Sequence, residues 1–364
     1  MGTYRLVLAL CVVVAHGSPI PGIRALDAGL AVKTFFMISG FYMALILKEK
    51  YPPTPEGRTL FYTNRLLRIY PMYFVTLVGA LLFYVAASLY LGHPADRLAL
   101  WAEAWRHGRA GALVLIGLTQ FTVVGLDVTP LFGYSVADGF HFLAADSTLA
   151  WRFNFLPHCW SIGAELFFYA IAPRLVSLRT GVQAALCLAT LVPALAIQAM
   201  DGLLPNSAAY HLGFLQLPYF LLGILAYTGL GQAAFFRPSD RAAAVPILAV
   251  AALTFSGWPA IGKAGGFVYL VCAWLLLPAL FHVSRRSGWD RWVGELSYPI
   301  YLLHVPMKWI LLAARGVDAK DTAQVSGIAL LLATLAGAAV MVAVVDRPLE
   351  RFRRQRFERQ AAIP

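Results

Sequence analysis

Two basic residues bracket the first apolar segment of the chain, which reads RLVLALCVVVAH from Arg5 to His16. Eleven residues make about three turns of an α-helix, so both side chains fall on one stripe, about 16 Å apart along the axis. A histidine in so apolar a segment is costly unless it faces protein or water. A neutral imidazole can take a proton from a hydroxyl group near neutral pH. Arg5 and His16 are therefore candidate catalytic residues, and an interhelical hydrogen bond without chemistry is the alternative for His16.

A second pair of basic residues lies in the segment NRLLRIYPMY, where Arg65 and Arg68 are three positions apart and so share one face of a helix. Guanidinium groups bind phosphate through paired hydrogen bonds, which makes this face a candidate phosphate site. Anchoring of the helix at the membrane surface is the alternative interpretation. We group Tyr73, in the same segment, with the two arginines as a candidate cofactor-binding residue.

Two further polar residues lie in apolar segments. Glu165, in WSIGAELFFY, is the only acid of its segment, and a carboxylate at membrane depth must either meet a cation or titrate. We expect Glu165 to take part in catalysis, and a structural salt bridge is the alternative. His304, in ELSYPIYLLH, lies six positions after Tyr298 and is a candidate substrate contact. The alternative for His304 is a satisfied core histidine.

Serine and cysteine, the other nucleophiles, show no catalytic pattern. Ser39 and Gly40 of FFMISGF have no base nearby in the sequence and no G-x-S-x-G context, so we expect close helix packing there. The cysteines are scattered among apolar neighbours without metal-ligand spacing, and we expect them to be buried. They are Cys11, Cys159, Cys187 and Cys272. The sequence therefore predicts no metal site.

The composition indicates the environment of these residues. Only 13% of the 364 residues are charged and 60% are hydrophobic, with a mean hydropathy of +0.69. A soluble chain carries about 25% charged residues, so this chain belongs in a membrane. Ten segments approach the roughly 20 residues that a helix needs to cross a bilayer. They are 4–19, 30–47, 69–92, 157–173, 182–200, 212–230, 242–257, 264–284, 295–314 and 325–345. The sequence therefore predicts an all-α polytopic membrane helix bundle, with a single membrane-embedded domain over 1–350.

The distribution of basic residues predicts the orientation, because cytoplasmic loops are enriched in Lys and Arg. If the short apolar segment 111–125 does not span, most of the 29 Lys and Arg residues fall on the side of the N-terminus. If it does span, the majority moves to the opposite side. We therefore predict ten spans, cytoplasmic N- and C-termini, a basic cytoplasmic tail over 351–364 and an outer connection over 93–156 with a short surface or re-entrant helix. The net charge of +11 reflects the excess of Lys and Arg on the cytoplasmic side, where the membrane leaflet carries anionic lipid. It does not indicate a nucleic-acid partner.

Six motifs occur in the order seen in the acyltransferase 3 family of integral membrane acyltransferases, which the chain resembles from about residue 5 to 353. They are the pair Arg5 and His16, then FFMISGF, RLLRIYP, WSIGAELFFY, LSYPIYLLH and VDRPLERF. The resemblance implies a ten-span bundle that moves an acyl group, usually acetyl, from coenzyme A to a hydroxyl of an extracytoplasmic sugar. One departure is Lys33 in VKTFF, where many members have an acid, and we include Lys33 among the substrate-binding residues.

The resemblance and the residue chemistry together suggest one mechanism. Arg65 and Arg68, with Arg5 nearby, would bind the phosphates of cytosolic acyl-CoA, and the stripe towards His16 would hold the pantetheine arm. His16 would deprotonate the acceptor hydroxyl, while Glu165 would orient His16 or stabilise its imidazolium, as the carboxylate of a triad does. Direct transfer and an acyl-histidine intermediate both remain open. Acetyl-CoA would be a co-substrate, and no cofactor would be bound permanently.

The expected partners are acyl-CoA, a carbohydrate or lipid-linked sugar acceptor, and the lipid bilayer of the cytoplasmic (inner) membrane of a bacterium. Two other functional classes are compatible with polar residues in apolar segments. In a proton-coupled secondary transporter, His16, Glu165 and His304 would form a proton relay, but such folds often show inverted repeats and none is visible. A non-catalytic membrane scaffold would have little use for polar groups on four separate spans.

Overall fold

The computed structural model describes residues 1–93, 95–142, 148–200, 206–232, 244–255, 262–316 and 325–352. Helices dominate this part of the chain. They are α1 Gly2–Ala15, α2 Ala28–Glu49, α3 Pro55–Leu91, α4 Asp96–Arg106, α5 Ala110–Thr122, α6 Trp160–Ser177, α7 Thr180–Ala199, α8 Asn206–His211, α9 Gly213–Thr228, α10 Ala244–Phe255, α11 Gly262–Ser284, α12 Gly288–Glu295, α13 Ser297–Ala313 and α14 Gly327–Met341. Beyond α14, residues Val342–Asp346 form a π-helical turn that continues the helix.

Six segments are long and apolar enough to cross a membrane, counted among the described residues by length and composition. They are Ala28–Glu49, Pro55–Leu91, Thr180–Ala199, Ala209–Thr228, Ala264–Ser284 and Gly327–Phe352. Gly2–Ala15, Ala110–Thr122 and Val245–Phe255 are apolar but shorter. The all-α membrane bundle is thus confirmed. The count of ten spans and the cytoplasmic termini stay predictions, and of the basic tail 351–364 only residues 351 and 352 lie within the described part.

The connection over 93–156 contains more structure than the single short helix that we predicted. It holds α4, α5 and three antiparallel strands in the order β2-β1-β3: β1 Phe132–Ser135, β2 Gly139–Phe142 and β3 Thr148–Leu149. The strands are two to four residues long, too short for an alternating pattern to reveal them. The doubtful segment 111–125 forms α5, whose 13 residues extend about 20 Å, less than the thickness of a bilayer core.

Gln120 in α5 has a structural explanation. Its side-chain carbonyl accepts a 2.6 Å hydrogen bond from the backbone N–H of Phe155, and its amide donates to the carbonyl of Phe153 at 3.4 Å. Gln120 is buried, so these bonds satisfy a polar group that would otherwise be costly. The residue therefore fastens α5 to the segment that leads into α6.

The chain divides into two compact units that alternate along the sequence. The first comprises Met1–Tyr73, Ala172–Ala184 and Tyr219–Pro364, and the second comprises Phe74–Ile171 and Ala185–Pro218. Helices α3, α6, α7 and α9 contribute residues to both. The prediction of one membrane-embedded domain over 1–350 stays a prediction.

Helix α1 has many neighbours in the first unit, where it packs against α2, α12, α13 and α14. In the same unit, glycines allow helices α2 and α9 to approach each other closely, as is common in membranes. A Cβ atom built on Gly40 of α2 would lie 2.0 Å from the carbonyl oxygen of Phe220 in α9, and one built on Gly223 of α9 would lie 1.9 Å from the carbonyl oxygen of Met37. The close packing predicted at Gly40 is therefore confirmed.

Candidate active site

The N-terminal end of α1 is held by one carboxylate. Asp290 of α12 accepts hydrogen bonds from the backbone N–H groups of Gly2 at 2.7 Å and Thr3 at 2.8 Å, from the Thr3 hydroxyl at 2.9 Å and from the Met1 amine at 2.8 Å. Burial opposes the ionisation of Asp290, but these donors outweigh it and lower the pKa of the carboxyl group to about 2. The charged cap fixes the first turn of α1, and Arg5 lies directly after that turn.

Arg5 of α1 and Arg68 of α3 both interact electrostatically with Tyr42 of α2. Both guanidinium groups are within electrostatic range of the Tyr42 hydroxyl, and both side chains are half-buried. Tyr42 is thus an electrostatic neighbour that Arg5 and Arg68 share, and a joint donor site of Arg5 with the α3 arginines stays a prediction. Tyr42 was not among the candidate residues. It directly follows the FFMISGF motif, but nothing in its local pattern indicates that two arginines approach it.

The other candidate donor-binding residues lie on α3. The Nε atom of Arg65 is buried and has no hydrogen-bond partner within the described residues, although its side chain as a whole is half-buried. Tyr73 is fully buried in the core, and its role in binding the donor stays a prediction. The hydroxyl of Tyr298, from the LSYP motif of α13, donates to the carbonyl of Ile69 at 3.0 Å. This bond attaches the start of α13 to α3 beside Arg68.

His16 lies at the other end of α1, immediately after its last helical residue. Its Nδ1 atom is 2.8 Å from the carbonyl oxygen of Val12. Because a carbonyl only accepts hydrogen bonds, Nδ1 carries the proton and donates, and in the neutral ring the lone pair is on Nε2. A backbone contact thus selects the tautomer that leaves Nε2 as the basic nitrogen.

His304 of α13 lies against His16. Their ring centroids are 4.7 Å apart, and the planes meet at 68° in an edge-on arrangement. The Nδ1 atom of His304 is 2.6 Å from the carbonyl oxygen of Tyr301, so this ring also donates through Nδ1 to its own helix. The two histidines predicted for catalysis and substrate contact are therefore neighbours, although nearly the whole chain separates them in the sequence.

The histidine pair has a cation close by. Lys308 follows His304 by one turn of α13, is 8% exposed and interacts electrostatically with His16. Sequence reasoning missed Lys308, although its spacing of four from His304 could have indicated it. The end of α1 is fixed on the start of α14, because the N–H of Ser18 donates to the carbonyl of Val325 at 2.8 Å and the N–H of Gly327 donates to the Ser18 hydroxyl at 3.2 Å. These contacts hold His16 in place.

Lys33, predicted as a substrate contact, lies on α2. Its ammonium group is over the ring of Tyr219, 5.2 Å from the ring centroid, and is attracted electrostatically by Asp27. Asp27 caps α2 by accepting from the N–H groups of Gly29 and Leu30 at 2.9 and 3.1 Å. The departure from the family pattern is thus accommodated by an aromatic ring and a nearby carboxylate. A role of Lys33 in substrate binding stays a prediction.

Glu165 belongs to the second unit. It is half-buried on α6 and accepts a hydrogen bond from the hydroxyl of Tyr169, one turn further along the same helix. The proposed action of Glu165 on His16 stays a prediction.

The second unit also contains an acid that sequence reasoning missed. Asp127 is buried, and burial raises its pKa although its carboxyl group accepts the N–H of Gly213 at 3.0 Å. A Cβ atom built on Gly163, the glycine of WSIGAELFFY, would lie 3.2 Å from Oδ1 of Asp127. The glycine of this motif therefore leaves room for Asp127.

Comparison with known proteins confirms the resemblance that the motifs indicated. The family model described as an acyltransferase domain matches residues 3–345, from the first turn of α1 to the π-helical turn that follows α14. No curated protein and no solved structure shows a significant match. The match includes both histidines, Arg5, the α3 arginines and Glu165. The chain therefore belongs to the acyltransferase 3 family, and its activity is that of a membrane acyltransferase.

Proposed function

We propose that the protein transfers an acyl group, in the first instance acetyl, from cytosolic acyl-CoA to a hydroxyl of an extracytoplasmic sugar. One observation carries this proposal: α1 bears His16 against His304 at one end and, at the other, Arg5, which interacts electrostatically with the same tyrosine, Tyr42, as Arg68. The two ends are about 16 Å apart. A transferase that joins a cytosolic donor to an outside acceptor needs such a pair of sites at the two ends of a narrow route.

The donor end is the basic one. Arg5, Arg65 and Arg68 would bind the phosphates of coenzyme A, since guanidinium groups form paired, charge-assisted hydrogen bonds with phosphate. The buried Nε of Arg65 supports this assignment, because a ligand oxygen would supply the acceptor that it lacks among the described residues. The uncharged pantetheine arm would then lie along α1, and the thioester would reach His16.

At the acceptor end, His16 would act as the general base. The hydroxyl proton moves to Nε2 of His16, the hydroxyl oxygen attacks the thioester carbonyl, and the C–S bond breaks. The leaving thiolate takes the proton back from the imidazolium. The Val12 carbonyl occupies the position at Nδ1 that a carboxylate takes in a triad. The tautomer of His16 therefore needs no carboxylate, and a catalytic role of Glu165 stays a prediction.

The proposal is tested with the purified protein and labelled acetyl-CoA, scored for release of coenzyme A and for label on the acceptor. His16→Ala should lower the rate by about 10²- to 10⁴-fold, the usual effect of removing a general base, while acetyl-CoA binding survives. His304→Ala should cost less. His282→Ala, a half-buried histidine of α11 in the same unit, is the matched control and should transfer like the wild type. Transfer at the wild-type rate by monodisperse His16→Ala protein would remove His16 from the mechanism. A transporter or scaffold would release no coenzyme A.

The orientation is part of the proposal. Both termini would be cytoplasmic in the inner membrane of a bacterium, with the basic ends of α1 and α3 inside and His16 towards the outside. A reporter fused after Pro364 should signal the cytoplasm, and one inserted near residue 140 should signal the outer side. A cytoplasmic signal at residue 140 would mean that α5 spans, and it would reverse the direction of α6.

A further inference from the structure

Lys308 is a buried cation in the helix that carries His304. Its side chain is 8% exposed, and no carboxylate of the described residues forms an ion pair with it. A buried ammonium group costs free energy unless an opposite charge or several hydrogen-bond acceptors compensate it. An anion that binds beside Lys308 would supply that compensation.

The order of residues along α13 places Lys308 on the acceptor side of the histidines. Helices α1 and α13 run in the same direction, because Gly2 lies against Gly294 just before α13 and His16 lies against His304 further on. Tyr298 is attached to α3 beside Arg68, so the start of α13 belongs to the donor end. Lys308 is one turn, about 6 Å, beyond His304 on the same face. It therefore lies past the histidines as seen from the arginines.

The chemistry of the proposed transfer adds a second reason. When His16 accepts the proton, a positive charge forms within electrostatic range of Lys308, and two like charges in a site of low dielectric constant repel each other. An anionic group bound at Lys308 would offset this repulsion during the reaction. A neutral acceptor would leave it unopposed.

We propose that Lys308 binds an anionic group of the acceptor, so that the preferred acceptor is an acidic sugar carrying a carboxylate or a phosphate. This inference rests on the proposed function and specifies its substrate class. The acid would contact the Lys308 ammonium group by a charge-assisted hydrogen bond, which would bring a neighbouring hydroxyl of the same sugar to Nε2 of His16. A hydrogen bond to a charged group of this kind raises the affinity for the acceptor by about 10- to 100-fold.

The test compares three acceptors with the same ring and aglycone: phenyl β-glucuronide, phenyl β-glucoside 6-phosphate and neutral phenyl β-glucoside. We expect wild-type kcat/KM to be about 10- to 100-fold higher for one or both anionic acceptors than for the neutral one. The arm that is preferred identifies carboxylate or phosphate. Lys308→Met should lower kcat/KM for the anionic acceptor to the neutral level and leave the neutral acceptor unchanged. Lys308→Arg should keep part of the preference. Lys48→Met, at an exposed lysine of α2, is the matched control and should keep all of it.

Two outcomes would overturn the inference. Equal wild-type use of all three acceptors would show that no anion is recognised. An equal loss for neutral and anionic acceptors in Lys308→Met would place the lysine charge on the reacting atoms and not on an acceptor group. Direct binding of the same compounds to both proteins separates this inference from the transfer reaction. A binding preference that Lys308→Met abolishes, without any release of coenzyme A by the wild type, would contradict the proposed function but keep the anion site.

Discussion

The crossing of α2 and α9 allows a prediction from distances alone. In Gly40→Ala the new methyl group would lie 2.0 Å from the carbonyl oxygen of Phe220. An ordinary carbon–oxygen contact is about 3.4 Å, so the two helices would have to separate by about 1.4 Å. The obstructing atom belongs to the backbone and cannot rotate away. Met37 and Gly223 form the reciprocal contact on the same crossing, so the helices cannot tilt to relieve one overlap without changing the other.

The expected cost follows from two opposing effects. Overpacking of a well-packed core costs about 1–3 kcal/mol, and a backbone obstacle favours the upper end of that range. Alanine is the better helix former and recovers about 0.8–1.0 kcal/mol. We therefore expect Gly40→Ala to lower the free energy of unfolding by about 2 kcal/mol. Acyl transfer per folded molecule should fall as well, because α2 also carries Tyr42, which interacts electrostatically with Arg5 and Arg68.

Thermal unfolding in detergent, followed with a thiol-reactive dye, measures this effect. Cys11, Cys159 and Cys187 are buried and become reactive only when the protein opens. Gly79→Ala is the matched control: this glycine lies within α3, and a Cβ atom there would meet nothing within 4 Å. The control should melt at or slightly above the wild-type temperature. A Gly40→Ala protein that melts no lower than Gly79→Ala would refute the argument from close approach.

Three further predictions concern the ends of α1 and α3 and the connection to α6. The double variant Arg65→Ala, Arg68→Ala should weaken acetyl-CoA binding by at least about tenfold in titration calorimetry, without a change in melting temperature. Unchanged affinity would mean that these arginines only anchor α3 at the membrane surface. Asp290→Asn should cost about 1 kcal/mol in the same melting assay, because it removes a charged helix cap. Since the pKa of Asp290 is about 2, the contribution of its charge is fully present above the ordinary carboxyl pKa and declines only as the pH falls towards 2. Gln120→Leu should cost about 1–3 kcal/mol because it leaves the buried N–H of Phe155 without its acceptor, and a melting curve like the wild type would contradict that role.

Local sequence patterns predicted the features that depend only on residues close together in the chain. Long apolar segments determine membrane helices, so the helical bundle followed from composition and length. Helical periodicity alone places Arg5 and His16 on one stripe of α1, because residues eleven positions apart return to nearly the same side of a helix. The family followed from the order of short motifs along the whole chain, which needs no three-dimensional information.

Contacts between distant segments could not be predicted in this way. The edge contact of His16 with His304 depends on how α1 and α13 pack, and neither segment carries a pattern that names its neighbour. Tyr42 and Lys308 acquire their importance from the same packing. The small sheet of β1, β2 and β3 was missed because strands of two to four residues show no periodicity. The hydrogen-bond partners of Gln120 are backbone groups 33 and 35 residues away, which no local pattern indicates.

The backbone contacts at Nδ1 of the two histidines have a consequence for genetics. The groups that orient His16 and His304 are the carbonyl oxygens of Val12 and Tyr301, which every substitution at those positions keeps. A mutational screen would therefore find the imidazole rings and overlook what orients them. The orienting contacts are also protected from drift, since no codon change removes a main-chain oxygen. Side-chain scanning cannot detect these contacts. Nitrogen-15 NMR of labelled histidine, or an ester bond in place of the amide that contains the acceptor carbonyl, would reveal the hydrogen bonds at Nδ1.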